Sequence, residues 1–197
     1  HNGTDLSTFS RGFARFNKDG TLDTSFSAGI GFLSGSSRVY PSFQTSCKID
    51  SSSGKIYIAG GFNQYSGSSV GYGLIRLNPN GSIDDTFNVG TGFSDRYQTN
   101  SSVYVYAIDI DLNGKIYAVG NFTKYSGSTV GPDIVRLNQD GTIDSGFNNN
   151  VGNLLPASNN GTTVYYVKVE PITNKVYFSG WITAYSGSTG FSGLVKA

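Results

Sequence analysis

A period of 60 residues organises this chain. The segment YSGSSVG begins at Tyr65, YSGSTVG begins at Tyr125, and YSGSTGF begins at Tyr185. The segments GKIYIAG, GKIYAVG and NKVYFSG keep the same step, starting at positions 54, 114 and 174. A fixed period means that each repeated residue belongs to a structural unit and has counterparts in the other units. We therefore predict that residues 1–197 form a single repeat array, with units at about 14–74, 75–134 and 135–197.

The pattern within one period is that of short β-strands. Apolar and polar residues alternate over spans that end in Gly, Asn, Asp or Ser, and no segment favours a helix of useful length. The Asn113-Gly114 pair tolerates positive φ and is expected to close a hairpin. In the middle copy the pattern predicts four strands, at about residues 103–111, 115–122, 133–138 and 142–147. The predicted fold class is all-β, a beta-propeller-like array of four-stranded antiparallel blades in about three 60-residue repeats.

The repeated frame GKIYxxGxFxxYSG, followed by RLNxDGTIDxxF, resembles the delta-60 repeat, a bacterial and phage family regarded as beta-propeller-forming. The resemblance covers nearly the whole chain. It implies a propeller fold and a place in large bacterial surface or virion proteins, but it carries no common catalytic residues. Propellers usually need about four to eight blades to close. With about three repeats, the chain is expected to be part of a larger propeller or fibre protein.

Residues that recur in every copy are expected to build the frame. They include an aspartate after each Asn-rich turn and a phenylalanine three residues later: Asp23, Asp84 and Asp144, then Phe26, Phe87 and Phe147. The tyrosines of the YSG segments, Tyr65, Tyr125 and Tyr185, are expected to pack between blades, with Ser-Gly turning the backbone beside them. The alternative interpretation is a threefold row of binding tyrosines.

Candidate binding residues lie in the segments that do not repeat, between the fourth strand of one unit and the first strand of the next. Arg38 and Tyr40 lie in one such segment, and Arg96 and Tyr97 lie in another. Planar rings and forked donors suit a sugar or a polar protein surface, and loops on a fixed scaffold commonly carry recognition. Solvated loops without a ligand are the alternative.

Trp181, the only tryptophan, stands where the other copies have Gly61 and Asn121. A large ring that replaces small residues could serve as a stacking platform for a sugar. It could equally fill a gap left by a shorter final loop.

Composition excludes several partners. Charged residues make up 14% of the chain and leave a formal net charge of +1, so no field exists that would gather nucleic acid. No apolar run approaches the length needed to span a bilayer, so membrane insertion is not expected. Cys47 is the only cysteine, which excludes an internal disulfide, and its alignment with Ala107 predicts a core position. No phosphate-binding loop or dinucleotide fingerprint occurs, so no cofactor is predicted.

The acidic residues raise two possibilities, a calcium site and a catalytic carboxylate pair. The segment DIDLNG places Asp109, Asp111 and Asn113 at alternate positions, like the opening of a calcium loop, but the later acidic ligand is missing. A glycosidase needs two carboxylates at a defined separation, and Asp95, Asp109, Asp111 and Glu170 are the non-repeated candidates, but nothing in the sequence pairs them. No catalytic residue and no metal site are therefore assigned.

These observations favour a non-enzymatic module that is extracellular, on a cell surface, or part of a virion. Its expected role is that of a scaffold that also recognises a receptor or glycan, within a phage tail or fibre or a secreted bacterial adhesin. Its expected partners are other chains or domains of that assembly and a cell-surface glycan or receptor. The alternatives are a polysaccharide-cleaving enzyme that uses carboxylates and a purely structural spacer.

The acidic segment generates the first testable prediction. Because DIDLNG lacks the later ligand, millimolar calcium should not shift the melting temperature of the protein through this loop. The measurement is thermal unfolding with added calcium and with a chelator. A calcium-dependent transition that Asp109→Ala and Asp111→Ala abolish would contradict this interpretation.

Overall fold

The structure, a computed structural model, describes residues 13–34, 37–38, 46–95, 103–131, 133–151, 163–181, 184–185, 188–189 and 193–196. Three sheets of the same design recur along these residues, and each has three antiparallel strands with its second strand in the centre. The first sheet contains β3 (Ser46–Ile49), β4 (Ile56–Ala59) and β7 (Leu74–Leu77); the second contains β9 (Val105–Ile110), β10 (Ile116–Gly120) and β13 (Ile134–Leu137); the third contains β14 (Thr163–Val169), β15 (Val176–Trp181) and β18 (Gly193–Lys196).

Smaller antiparallel sheets accompany the large ones. Their strands are β1 (Phe32–Ser34), β2 (Ser37–Arg38), β5 (Gln64–Tyr65), β6 (Ser68–Ser69), β8 (Phe93–Ser94), β11 (Lys124–Tyr125), β12 (Ser128–Thr129), β16 (Ala184–Tyr185) and β17 (Ser188–Thr189). One of these sheets has the order β2-β1-β5-β6, another has the order β12-β11-β8, and the last is the pair β16-β17. The described residues contain one helix, α1 (Ser145–Val151).

The first three strands predicted for the middle copy are confirmed, but the fourth is wrong. After the turn at 138–141 only one residue pair forms, an isolated bridge between Leu137 and Ile143, and the chain then enters α1. The same single bridge occurs in the other copies, between Leu77 and Ile83 and between Phe16 and Leu22. The strand stops because the chain turns directly after the repeated aspartate: the Asp84 carbonyl accepts the Phe87 amide at 3.1 Å, and the Asp144 carbonyl accepts the Asn148 amide at 3.1 Å. These backbone bonds take the chain away from the sheet.

The YSG segments build the frame, as predicted. Tyr65 and Tyr125 are buried, and their hydroxyls donate to the carbonyls of Gly81 and Gly141, each at 2.7 Å. Ser66 and Gly67 both have positive φ, as a two-residue hairpin of this kind requires. Ser126 and Gly127 repeat this geometry. The side chain of Tyr185 lies outside the described residues.

The apolar core lies between successive repeats. One cluster joins Tyr57 and Leu74 of the first sheet to Ile108 and Val135 of the second. A second cluster joins the second sheet to the third, and a third cluster joins residues around Phe26 to the first sheet. The first two large sheets therefore bury side chains on both faces, and their stability depends on their neighbours.

A repeated arginine ties each unit to the next. Arg76 Nε bonds Asp84 Oδ2 at 2.7 Å, and the guanidinium stacks 4.8 Å from the Phe87 ring centroid. Its Nη1 then donates to the carbonyl of Gln139, in the turn of the following unit, at 2.6 Å. The arginine, the aspartate and the ring form what we call the arginine hub. Two further hubs, made by Arg15 with Asp23 and Phe26 and by Arg136 with Asp144 and Phe147, repeat the ion pair and the stacking.

Cys47 is exposed, which corrects the expectation of a core position. Cys47 pairs with Ile58, and the residue paired with the equivalent Ala118 is Ile108, not Ala107. The shift arises because the hairpin between the first two strands is one residue shorter in the second unit. The shift alone does not expose Cys47, because its structural counterpart Ile108 is buried against the first sheet. Ile49, two residues further along β3, is 65% exposed, so the equivalent face of β3 is open.

The burial of the YSG tyrosines generates a stability prediction. Tyr125→Ala should lower the free energy of unfolding by roughly 3 kcal/mol, because it leaves a cavity in the core, whereas Tyr125→Phe should cost about 1 kcal/mol through the lost hydrogen bond to Gly141. Denaturant unfolding measures both values. The exposed neighbour Ser128 supplies the control variant Ser128→Ala, and equal effects of all three changes would contradict the assigned role.

Candidate binding surface

The predicted binding residues fall mostly outside the described part of the chain. Tyr40, Arg96 and Tyr97 lie outside it entirely. Arg38 lies in β2, where its backbone pairs with Leu33, and Trp181 ends β15, but the side chains of both lie outside the description. Their roles in binding stay predictions.

Three tyrosines of the second and third units pack together. The rings of Tyr104 and Tyr106 stack with centroids 6.4 Å apart and an interplanar angle of 14°. The ring of Tyr165 lies 5.3 Å from that of Tyr106 at an angle of 42°. Tyr104 and Tyr106 are half-buried and Tyr165 is 43% exposed, so the group offers ring surface to solvent. We call these three residues the tyrosine row.

Two members of the tyrosine row are bulge residues. Val119 pairs with Ala107 and Gly120 pairs with Val105, so Tyr106 is the extra residue of β9. In the third sheet the register skips Tyr165 of β14 in the same way. A bulge bends the strand and re-aims a side chain. The same irregularity in two sheets therefore turns both tyrosines toward each other.

The series of residues just after the second strand supports the row in two ways, through space at Gly61 and through a hydrogen bond at Asn121. A Cβ atom added to Gly61 would lie 2.9 Å from the Tyr104 ring, so a glycine is needed for the ring to stay where it is. The counterpart of Gly61, Asn121, accepts the backbone N–H of Tyr104 through Oδ1 at 2.6 Å. Trp181 is the third member of this series, and its backbone pairs with Thr163, two residues before Tyr165. The predicted platform residue thus belongs to the same end of the sheets as the row.

A buried aspartate, Asp133, is one of the residues that raise the pKa of Tyr106 in the row. Asp133 is only 7% exposed and has a φ of 66°, a left-handed conformation that glycine adopts at the equivalent Gly73. Burial raises the pKa of Tyr106, and the neighbouring Tyr165, Asp133 and Tyr104 raise it further. The Tyr106 hydroxyl therefore remains a neutral donor across the physiological pH range.

Periodicity could not find the tyrosine row. The row mixes Tyr104 and Tyr106 from one unit with Tyr165 from the next, and Tyr106 and Tyr165 are 59 residues apart, off the 60-residue step. The available signal was local. The segments VYVYA and VYYVK each place two tyrosines in or directly before a strand that follows a non-repeated segment.

Asp109 joins three units electrostatically. It is buried, and its carboxylate accepts Lys48 Nζ at 3.3 Å, Lys168 Nζ at 2.9 Å and the Val169 amide at 2.8 Å. Burial raises the pKa of Asp109, but the Val169 amide and the two lysines outweigh burial and leave the pKa below its ordinary value. Lys48, Asp109 and Lys168 are structural counterparts, because each pairs with the tyrosine of the GKIY or NKVY segment of its unit.

The acidic segment around Asp109 is a hairpin turn. Asp111 Oδ1 accepts the backbone N–H groups of Asn113 and Lys115, each at 2.9 Å, while Asp109 points to lysines. Within the described residues, no three His, Cys, Asp or Glu side chains are grouped to hold a metal ion.

The carboxylates considered for catalysis have structural partners. Asp109 is engaged by the lysines, Asp111 closes its turn, and Glu170 accepts the hydroxyl of Thr173. A cleft of about 590 Å³, lined by residues of the first two large sheets and their turns, also contains charged groups. Its lysines form ion pairs with repeated aspartates of the frame: Lys55 with Asp84 at 2.8 Å and Lys115 with Asp144 at 3.1 Å.

Comparison with known proteins supports the repeat architecture. A family model described as "Domain of unknown function (DUF5122) beta-propeller" matches residues 6–26, 51–87 and 112–147. These segments include the aspartate and the phenylalanine of each arginine hub. The match and the recurring small antiparallel sheets support an all-β fold of a beta-propeller repeat family. No curated protein and no solved structure matches the chain. In the described part of the chain, no helix is long and apolar enough to cross a membrane.

Asp109 generates a prediction with a defined pH dependence. Asp109→Asn should lower the free energy of unfolding by about 1–2 kcal/mol at pH 7, because the carboxylate loses its charge while both lysines keep theirs. The pKa is lowered in the folded state, so this contribution is present above the unfolded pKa of about 3.9 and is lost as the pH falls through the folded value. The difference between wild type and variant should therefore shrink at pH 3.

Denaturant unfolding at both pH values is the measurement, and Asp85→Asn is the matched control, because Asp85 is an exposed carboxylate. An Asp109→Asn effect that matches this control, or that does not change with pH, would exclude the proposed ion pairs.

Proposed function

We propose that this protein is a non-enzymatic beta-propeller module, built of repeats of the delta-60 type, that acts as a scaffold and recognises a glycan or receptor. The proposed setting is extracellular, on a bacterial surface or in a virion, as in an adhesin or a phage tail or fibre. Its proposed partners are other chains or domains of that assembly and a cell-surface glycan or receptor.

The observation that carries this proposal is the tyrosine row. Tyrosines supply large, rigid contact area at a low cost in conformational entropy, and they combine an apolar face with a polar tip. Repeated side chains such as Arg76, Asp84 and Tyr125 already use their polar groups in hydrogen bonds within the frame. Tyr104, Tyr106 and Tyr165 instead meet at a partly open surface, each in or near a strand that follows a non-repeated segment.

The partners of the carboxylates favour recognition over polysaccharide cleavage. A general acid needs a raised pKa, and the pKa of Asp109 is lowered by groups that hold it ionised. Asp111 accepts two backbone amides, which is the role of a turn residue. Neither carboxylate is presented as a proton donor to a substrate.

The proposal is tested by binding of the intact protein to a glycan array and to bacterial cells. Wild-type protein should bind at least one surface, and the double variants Arg96→Ala/Tyr97→Ala and Arg38→Ala/Tyr40→Ala should reduce binding if these loop residues contribute contacts. Lys18→Ala serves as a control on an exposed turn, and melting temperatures show whether each variant is folded.

No binding to any glycan or cell would refute recognition and leave a structural spacer. Release of new reducing ends from a polysaccharide would instead favour the enzymatic alternative.

A further inference from the structure

Resting on the proposed function, we propose that the tyrosine row is a carbohydrate-binding site and that its ligand is a neutral oligosaccharide chain. The site comprises Tyr104, Tyr106 and Tyr165, with Gly61 and Asn121 as positioning residues. It lies outside the loop residues that the sequence singled out.

The chemistry of the row matches one face of a sugar ring. A pyranose presents a face of C–H groups and a rim of hydroxyls, and a tyrosine presents an aromatic face and a hydroxyl that both donates and accepts. Tyr165 is 43% exposed and Tyr106 is half-buried, so both rings are accessible and anchored. Stacking and hydrogen bonding can therefore act together on a sugar unit.

The surrounding residues hold the row in place. Tyr106 and Tyr165 are the bulge residues of two different sheets, a placement that bulges often have beside binding sites. Gly61 leaves room for the Tyr104 ring, because the Cβ atom of any larger residue would come too close to that ring. Asn121 fixes the Tyr104 backbone with a bond of 2.6 Å. Three independent features thus preorganise the rings, which reduces the entropy lost on binding.

The dimensions of the row favour a chain of sugars over a single sugar. The centroids of successive rings lie 6.4 and 5.3 Å apart, and the row runs from the second unit to the third. A ligand that covers all three rings must itself be extended. A linked series of pyranose rings has that form.

The charge around the row favours a neutral ligand. Asp133 is buried beside the row: its carbonyl accepts the Gly120 amide at 3.0 Å, and Gly120 pairs with Val105, the residue between Tyr104 and Tyr106. A carboxylate in this position disfavours an anionic ligand. Sites for single-stranded nucleic acid also stack rings on tyrosines, but they need a positively charged groove along the phosphates. Uronic acids and other anionic sugars would meet the same electrostatic penalty. A chain of neutral sugars carries no charge to be repelled.

The test compares tyrosine variants on an array of neutral and uronic-acid oligosaccharides, with cellohexaose and hexagalacturonate as probes in solution. Wild type should prefer neutral oligosaccharides. Tyr106→Ala and Tyr165→Ala should each weaken that binding by about tenfold or more, as expected for central contacts. Tyr166→Ala is the matched control, because Tyr166 is 69% exposed and directly follows Tyr165 in the strand. It should bind like wild type.

A second variant tests the row without removing a tyrosine. Gly61 has no positive φ, so Gly61→Ala is compatible with its backbone and should act by displacing the Tyr104 ring. Binding of neutral oligosaccharides should fall several-fold while the melting temperature stays close to that of wild type. This variant keeps the proposal testable if a tyrosine variant fails to fold.

The outcomes separate this inference from the proposed function. Neutral-glycan binding that survives Tyr106→Ala and Tyr165→Ala, or that Tyr166→Ala weakens equally, overturns the row while recognition by the module stands. A preference for uronic acids also overturns it. Absence of binding to any glycan or cell overturns both.

Discussion

The arginine hub is the interaction on which the rest of the structure depends. Arg76 is held by Asp84 and stacked on Phe87 within its own unit, and it then donates to the carbonyl of Gln139 in the next. A planar fork with several donors can satisfy these partners together, which a lysine ammonium cannot do in the same geometry. Because every unit must offer both the fork and the accepting turn, the sequence repeats.

The hub also explains why the Asp109 ion pairs and the tyrosine row are built from residues that depart from the repeat. Residues of the frame have their donors and acceptors occupied by neighbouring units, so they are poorly placed to contact a ligand. Asp109 departs from the frame and couples three units through Lys48 and Lys168. The tyrosine row departs from it through two bulges. Both features lie in the first strands of their units, directly after the segments that vary most.

Much of the fold could be predicted from the sequence because turn chemistry and period are local signals. The Asn113-Gly114 hairpin and the Ser-Gly turns could be predicted because their residues tolerate positive φ. The strands could be predicted because apolar and polar residues alternate along them. The fourth strand could not be excluded, because the chain turns directly after Asp84 and Asp144 through backbone hydrogen bonds that the alternating pattern does not signal. The period could not assemble the tyrosine row, because a bulge changes side-chain direction without changing the apolar pattern.

The most direct test of the central claim is native-state hydrogen exchange of Arg76→Lys. The amide of Asn88 donates to Asp140 of the following unit at 2.9 Å, and its counterpart Ser27 donates to Asn80 at 3.1 Å. If the hub joins the units, the Asn88 amide should lose protection by about tenfold or more in the variant, while the Ser27 amide stays protected. Equal protection of both amides in variant and wild type would contradict the account.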